Sequence, residues 1–535
     1  MHGVISAGNP QTVEAGLSIL RQGGNAVDAA VAAAFASFIA EPGVVHLGGS
    51  GMAQIFAPQG APEGPQHVVY DFFSAMPGLE RRRAVENLDF ERVTIDYGAT
   101  TQHFHLGRGS VAVPGNISGL CRMAADFGRL PLRTLLQPAI TLAREGAVLD
   151  DFQAATCELL RPLYTHTAGM RAIFAPQGAM VRSGDRFFIP HLAETLQALA
   201  AEGAAMARSG SLARALLADQ QENGGLLTAA DLEQFRVQRH APIRLAYRDC
   251  HVLLPPPSSS GGVLIAFALK ILSRFTLQDT PHNSARHLQL LYETMAAAAR
   301  ARPSWERLSA QLPPEAAVAR FLAQSSVAPH AERVHRALAL NQPSTATGER
   351  RGPSHTSHLS VVDAQGMAVA LTTTAGETAG YVVPQTGFIP NNILGEEDLN
   401  PGGFHQWRPG QRIPTMMAPT IVLRDERIRL VTGSGGSNRI RSAILQVLMN
   451  VLDFDMPLAQ AVNAPRIHVE NGIMQCEFGY DSKAVDRLER EDYPVNRWST
   501  RSIYFGGAHS VAQHPDGTLL AAGDDRRGGA TASIP

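Results

Sequence analysis

Ser354-His355-Thr356-Ser357-His358-Leu359-Ser360-Val361-Val362-Asp363 runs on through Ala364-Gln365-Gly366 into Met367 to Thr374. The stretch before Thr356 is polar and rich in breakers. Ser357–Asp363 reads as a strand, Asp363-Ala364-Gln365-Gly366 as a turn, and Met367–Thr374 as the returning strand. Positions 356 and 374 are symmetric about 365, so a hairpin closed there sets Thr374 across from Thr356. Directly opposed residues share a face, with Cβ atoms about 4.5–5.5 Å apart. A threonine at the junction of a mobile segment and a buried strand suits one chemistry. If the chain is cut just before it, Thr356 carries a free α-amine beside its own hydroxyl, an activated nucleophile. That amine has a reference pKa of about 7.7–8.0, against about 10.4 for lysine, so near neutrality part of it can accept the hydroxyl proton. The same hydroxyl can first attack the His355 carbonyl, and one side chain then drives both maturation and turnover. The competing local reading is an ordinary threonine-rich hairpin, because threonine favours strands.

The chain has 535 residues and a mass of 57.2 kDa, is 44% hydrophobic and 18% charged, and carries a net charge of −2. This is a globular composition, long enough for a large core. With 46 basic and 48 acidic residues and no basic tract, nucleic acid and anionic membrane are not expected partners. The four cysteines, Cys121, Cys157, Cys250 and Cys476, show neither CxxC pairing nor metal-ligand spacing and read as reduced structural thiols. No basic and apolar leader precedes the first amphipathic segment. The sequence as given therefore reads as cytoplasmic, or periplasmic if a leader was trimmed.

Along the chain, residues 9–40 read as two helices broken at Gly23-Gly24-Asn25, the second alanine-rich and buried. Met52–Phe56 and Val68–Phe73 read as strands, and segments near 116–127, 132–146, 191–203 and 211–222 have helical periodicity. Tyr247–Leu254 reads as one strand, Val263–Phe275 as a long apolar helix, and 283–325 as helical. Residues 341–355 have the composition of an exposed, mobile loop. Helices return near 440–453 and 457–463. Strands flanked by helices throughout point to an α/β architecture of sheets covered by helical layers.

A second motif is Thr432-Gly433-Ser434-Gly435-Gly436-Ser437-Asn438, between a strand-like run and a helix from about Arg439. Such a turn aims backbone N–H groups at one spot, where the helix N-terminus adds positive potential. It suits a nucleotide phosphate, an oxyanion hole, or a plain structural turn. The phosphate reading is the weakest, since no GK[ST] follows and the third glycine of GxGxxG is missing.

Taken together, these residues resemble the γ-glutamyltransferase family of N-terminal nucleophile hydrolases. The resemblance begins at Gly23-Gly24-Asn25-Ala26-Val27-Asp28-Ala29-Ala30-Val31 and Leu47-Gly48-Gly49-Ser50-Gly51. It continues through Val113-Pro114-Gly115-Asn116-Ile117-Ser118-Gly119 and Pro255 to Gly262. It takes in the Thr356–Asp363 motif, Ala418-Pro419-Thr420 and Thr432 to Arg439, and closes with Asp525-Arg526-Arg527-Gly528-Gly529. It implies a four-layer αββα sandwich and self-cleavage between His355 and Thr356. The products would be a large fragment (1–355) and a small catalytic one (356–535) that stay associated as one αββα unit. It makes Thr356 the nucleophile and base, Thr374 its supporting threonine, and the N–H groups of Gly436 and Ser437 the oxyanion hole. The substrate is a small amide or peptide, passed through an acyl-Thr356 ester to water or an amine. No metal or organic cofactor is expected; His103 and His105 at i, i+2 lack further ligand spacing.

The departures concern the glutamyl pocket. Asp71-Phe72-Phe73-Ser74 puts Phe73 where the family has the arginine that holds the α-carboxylate. Gly376 replaces an asparagine, Ile393 a glutamine, and Thr415-Met416 a serine pair; Asn392 remains, and Glu396 stands at the acidic position. Hydrogen bonds to charged groups are worth about 1.5–3 kcal/mol each, and about 1.4 kcal/mol is a factor of ten. Losing several weakens recognition of a zwitterionic γ-glutamyl end by orders of magnitude, unless Arg81, Arg82 or Arg83 substitutes. The expectation is a retained amide-cleaving engine with an altered acyl pocket, comparable to relatives that act on cephalosporin side chains or oxamate. An inactive scaffold is the alternative, against which the intact Thr356, Thr374 and glycine loop argue.

Overall fold

A computed structural model describes residues 3–58, 66–80, 87–96, 101–277, 279–344 and 355–534. Two antiparallel sheets face each other. The first runs in the order Ala530–Ile534, Gly3–Ala7, Ser357–Asp363, Ala368–Thr374, Ser50–Ala57, Gln66–Phe72, Gln238–His240. The second runs Leu519–Ala522, Ser510–Gln513, Arg427–Thr432, Thr420–Arg424, Cys250–Leu254, Ile243–Tyr247. Val4, Phe56, Val362 and Ala370 of the first sheet meet Leu253, Ile421, Val431 and Val511 of the second in a dry layer. Helices Pro10–Arg21 and Ala26–Ala40 cover the outer face of the first sheet. Helices Ser260–Leu272, Ala285–Gln311 and Arg439–Leu452 cover the second. This is the expected four-layer αββα sandwich. Each sheet is apolar on both faces, as a sheet buried in the middle of a stack must be.

Local chemistry anchors the central hairpin. Asn25 caps helix Ala26–Ala40, and the reciprocal bonds to Asp28 form a capping box. The helix is buried all round, which its alanine content permits because it approaches its neighbours closely. The Ala26 N–H donates to Asp363 Oδ2 at 2.9 Å, while Asp363 Oδ1 accepts from Gln365 and Met367 at 2.9 and 3.0 Å. One carboxylate thus closes the hairpin turn and docks it on a helix N-terminus, where negative charge is favoured. Ser357 pairs with Thr373 and Val362 with Ala368, so the register is symmetric about 365 as read from sequence.

Several elements differ from the sequence reading. Tyr247–Leu254 is not one strand but part of a hairpin: Ile243–Tyr247 and Cys250–Leu254 pair around Arg248, whose φ is +54°. The apolar helix begins earlier, at Ser260, because the Ser259 hydroxyl caps it by accepting from Gly262 N–H at 2.9 Å. A helix at Gln324–Leu340 was not read at all; Pro329 inside it breaks the periodic signal. The four cysteines are buried and unbridged. Among the described residues, no helix is long and apolar enough to cross a membrane.

Candidate active site

Thr356 lies at the start of strand Ser357–Asp363, 4% exposed, and lines a cavity of about 490 Å³. Thr374 and Gly376 line the same cavity, as do Phe73, Glu396, Thr415, Met416 and Ser437. Sequence positions from 73 to 437 thus converge on one threonine. Asn392, Gly436 and His355 stand behind this wall. Asn392 is fully buried and its Oδ1 accepts from Glu377 N–H at 2.7 Å.

Thr374 Oγ1 accepts from Gly376 N–H at 3.0 Å and donates to the His355 carbonyl at 2.7 Å. The next carbonyl, that of Thr356, accepts from Arg527 Nη1 at 3.3 Å. Gly435 backs onto this carbonyl so closely that a Cβ there would fall 1.9 Å from the Thr356 oxygen, so no side chain fits. Arg527 is buried, and burial together with neighbouring Arg439 lowers its pKa to about 10. Strand order explains the convergence: Ser357–Asp363 and Ala368–Thr374 are central in their sheet, and the glycine loop leaves the facing sheet beside them.

The glycine loop turns sharply at Gly436 (φ +116°) and Ser437 (φ +49°) before helix Arg439–Leu452. Ser437 is held in this left-handed conformation by its hydroxyl, which donates to Asp398 Oδ2 at 2.6 Å. Ser437 and Asn438, at the start of this helix, line the cavity that holds Thr356, where the helix N-terminus favours negative charge.

Phe73, Gly376, Thr415 and Met416, read from sequence as altered pocket positions, all lie in the wall of this cavity. Phe73 is fully buried. Arg412, which sequence reading missed, lines the same cavity: its guanidinium donates to the carbonyls of Phe73 and Arg236 and sits 3.6 Å from Asp71 Oδ1. Gly376 has φ +69°, and a Cβ there would stand 2.4 Å from both Asn392 Oδ1 and Glu396 Oε1. A side chain at 376 would therefore displace the ends of Asn392 and Glu396. Trp407, Leu399 and Pro414 add apolar surface. Arg81, Arg82 and Arg83 lie outside the described residues, as do 345–354 of the loop segment. His103 and His105 sit on the separate hairpin Glu91–Asp96/Thr101–Leu106, where His105 stacks on Phe90.

Other contacts of the site had no readable signal. His355, placed by composition in a mobile loop, is 1% exposed: its N–H donates to Glu377 Oε1 at 3.0 Å and its Nδ1 lies 2.8 Å from Oε2. Burial raises the Glu377 carboxyl well above its usual value and lowers the His355 imidazole. Glu41 accepts from Ser357 Oγ at 2.6 Å and Thr12 Oγ1 at 2.7 Å, and burial raises it to about 7. Arg302 reaches the loop from helix Ala285–Gln311, with Nη1 3.1 Å from Asn438 Oδ1.

Residues 12–534 match the family model described as gamma-glutamyltranspeptidase. The chain is 34% identical to the acylase ACY 1 proenzyme of Pseudomonas sp. (strain V22), covering 99% of this chain and 93% of that protein. It is 29% identical to the glutathione hydrolase proenzyme of Escherichia coli (strain K12), over 98% and 90%. The structure superposes on a cephalosporin acylase from Bacillus halodurans with a TM-score of 0.84 at 23% identity, covering 100% of this chain and 96% of that one, which bears on fold alone. The chain therefore belongs to the gamma-glutamyltranspeptidase family of self-processing, amide-cleaving enzymes.

Proposed function

We propose that Thr356 is the nucleophile of this enzyme, freed by cleavage of the His355–Thr356 bond, and that its acyl pocket prefers an amide lacking the glutamyl α-ammonium and α-carboxylate. The observation that carries the reading is the position of Thr356 in the cavity wall, beside the Gly436-Ser437 turn, with Phe73 in place of a cationic anchor. In turnover the α-amine of Thr356 takes the hydroxyl proton as Oγ attacks the substrate carbonyl. The N–H groups of Gly436 and Ser437 stabilise the oxyanion, and the amine returns the proton to the leaving nitrogen. Water, or a second amine, then opens the acyl ester. The buried Arg527 guanidinium by the Thr356 carbonyl disfavours the ammonium form and so favours the amine as a base.

The acyl preference follows from desolvation. A zwitterionic end buried against Phe73 and Met416 leaves an unpaired charge, which costs several kcal/mol. Arg412 is a poorer anchor than a free guanidinium, because two of its donors serve the carbonyls of Phe73 and Arg236 and its charge already sits beside Asp71. The greater identity to the acylase than to the glutathione hydrolase supports the same direction. The two fragments are expected to stay together, since strands Gly3–Ala7 and Ser50–Ala57 flank the 357–374 hairpin in one sheet.

Purification under denaturing electrophoresis should give bands of about 38 and about 19 kDa from the 57.2 kDa chain, the smaller beginning Thr-Ser-His-Leu. Thr356→Ala should stay whole. The processed enzyme should hydrolyse glutaryl-p-nitroanilide with at least tenfold higher kcat/KM than γ-glutamyl-p-nitroanilide. A preference for the γ-glutamyl substrate would refute the pocket reading while leaving Thr356 in place.

A further inference from the structure

Three backbone groups around the His355–Thr356 bond are pinned by three different side chains. The His355 N–H donates to Glu377, the His355 carbonyl accepts from Thr374, and the Thr356 carbonyl accepts from Arg527. Glu377 holds His355 twice, since both its carboxyl oxygens also lie within 2.9 Å of Nδ1. Such a grip on a fully buried histidine at the end of a polar segment has no use in turnover, because neither side chain lines the substrate cavity. Its effect is on the bond between residues 355 and 356.

From this geometry we infer that Glu377 is a positioning residue for self-cleavage, acting through the His355 side chain and N–H to present the scissile carbonyl to Thr356 Oγ and to Thr374. The inference rests on the reading that Thr356 cleaves its own chain. The step it serves balances without a co-reactant other than water. Thr356 Oγ–H adds to the His355 carbonyl carbon, and the developing oxyanion keeps its hydrogen bond from Thr374 Oγ1. The C–N bond to Thr356 breaks as the hydroxyl proton passes to the Thr356 nitrogen, leaving an ester between His355 and Oγ. Water then opens the ester, restoring the hydroxyl and giving His355 a carboxyl group beside that of Glu377.

Holding a carbonyl within reach and in line converts a flexible search into a near-attack arrangement, a large rate effect for a small displacement. Buried Glu377 and His355 are driven by desolvation toward neutral forms, so the pair shares a proton without an uncompensated charge. An amide at 377 can replace both contacts: its oxygen accepts from the His355 N–H, and its N–H donates to Nδ1 in the other tautomer.

The test follows appearance of the small fragment after cell-free synthesis of the full chain. Glu377→Ala and His355→Ala are each expected to cleave at least tenfold more slowly than the unaltered chain, and Glu377→Gln within about threefold of it. Added hydroxylamine, which opens esters, should not restore the Glu377→Ala rate, because the affected step precedes the ester. Wild-type-like cleavage in Glu377→Ala, or full rescue by hydroxylamine, overturns the inference. So does Glu377→Gln as slow as Glu377→Ala at an unchanged melting temperature. Should Glu377→Ala fail to fold, His355→Ala, which leaves 377 intact, carries the same comparison. An unaltered chain that never cleaves refutes the Thr356 reading itself.

Discussion

Thr374 Oγ1 donates to the carbonyl of His355 at 2.7 Å, across a hairpin whose register places residues 356 and 374 opposite each other. A donor aimed at a carbonyl that becomes an oxyanion is worth about 2.7–4 kcal/mol. Thr374→Ala is therefore expected to slow self-cleavage by about 10²–10³-fold, and Thr374→Ser, which keeps the hydroxyl, by far less. Densitometry of the small fragment over time measures both; equal rates for the alanine and serine variants would contradict the role.

Ser437 occupies a left-handed backbone conformation (φ +49°) that its bond to Asp398 supports. Glycine adopts this conformation freely, whereas a β-branched residue pays about 1–3 kcal/mol. Ser437→Gly should keep kcat within about threefold. Ser437→Val should lower it more than tenfold with a smaller change in KM, read by steady-state kinetics on the processed enzyme.

Glu41 binds Ser357, the neighbour of the nucleophile, and burial raises it from the usual 4.5 to about 7. A carboxyl that holds its proton more tightly when folded contributes stability in full below pH about 4.5 and loses it as pH rises through about 7. The span corresponds to on the order of 3 kcal/mol. Glu41→Gln should remove this slope: its melting temperature relative to the parent should rise between pH 5 and pH 8. Parallel melting curves across that range would count against the assignment.

Gly376 leaves no room for a side chain, since a Cβ would meet Asn392 Oδ1 and Glu396 Oε1 at 2.4 Å. Asn392 is already committed to the Glu377 N–H. Restoring the family's side chain with Gly376→Asn should therefore destabilise the fold by about 1–3 kcal/mol without conferring γ-glutamyl activity. Denaturant melts and a γ-glutamyl-p-nitroanilide assay report the two halves of this expectation.

Much of this was legible in residue order because the signals are local. Alternation plus a turn placed the 357–374 hairpin and its register, a cap and two glycines separated the first two helices, and the glycine loop stood between a strand and a helix. Local signals also misled where two devices compete. Tyr247–Leu254 read as one strand because the turn at Arg248 uses no glycine, and Pro329 hid a seventeen-residue helix.

Sequence by itself determined the hairpin and the presence of a candidate nucleophile, since each depends on residue type and near spacing, while the departures from the glutamyl pocket were legible only through the family resemblance. Only the tertiary structure decided that Phe73, Gly376 and Ser437 line one cavity with Thr356, and that Arg412 is occupied by backbone carbonyls. It alone showed His355 buried against Glu377 and Glu41 reaching Ser357. The reason is physical: a buried polar group must find a partner, but any element packed nearby can supply it. For Glu41 that partner lies 316 residues along the chain, a distance over which spacing carries no information.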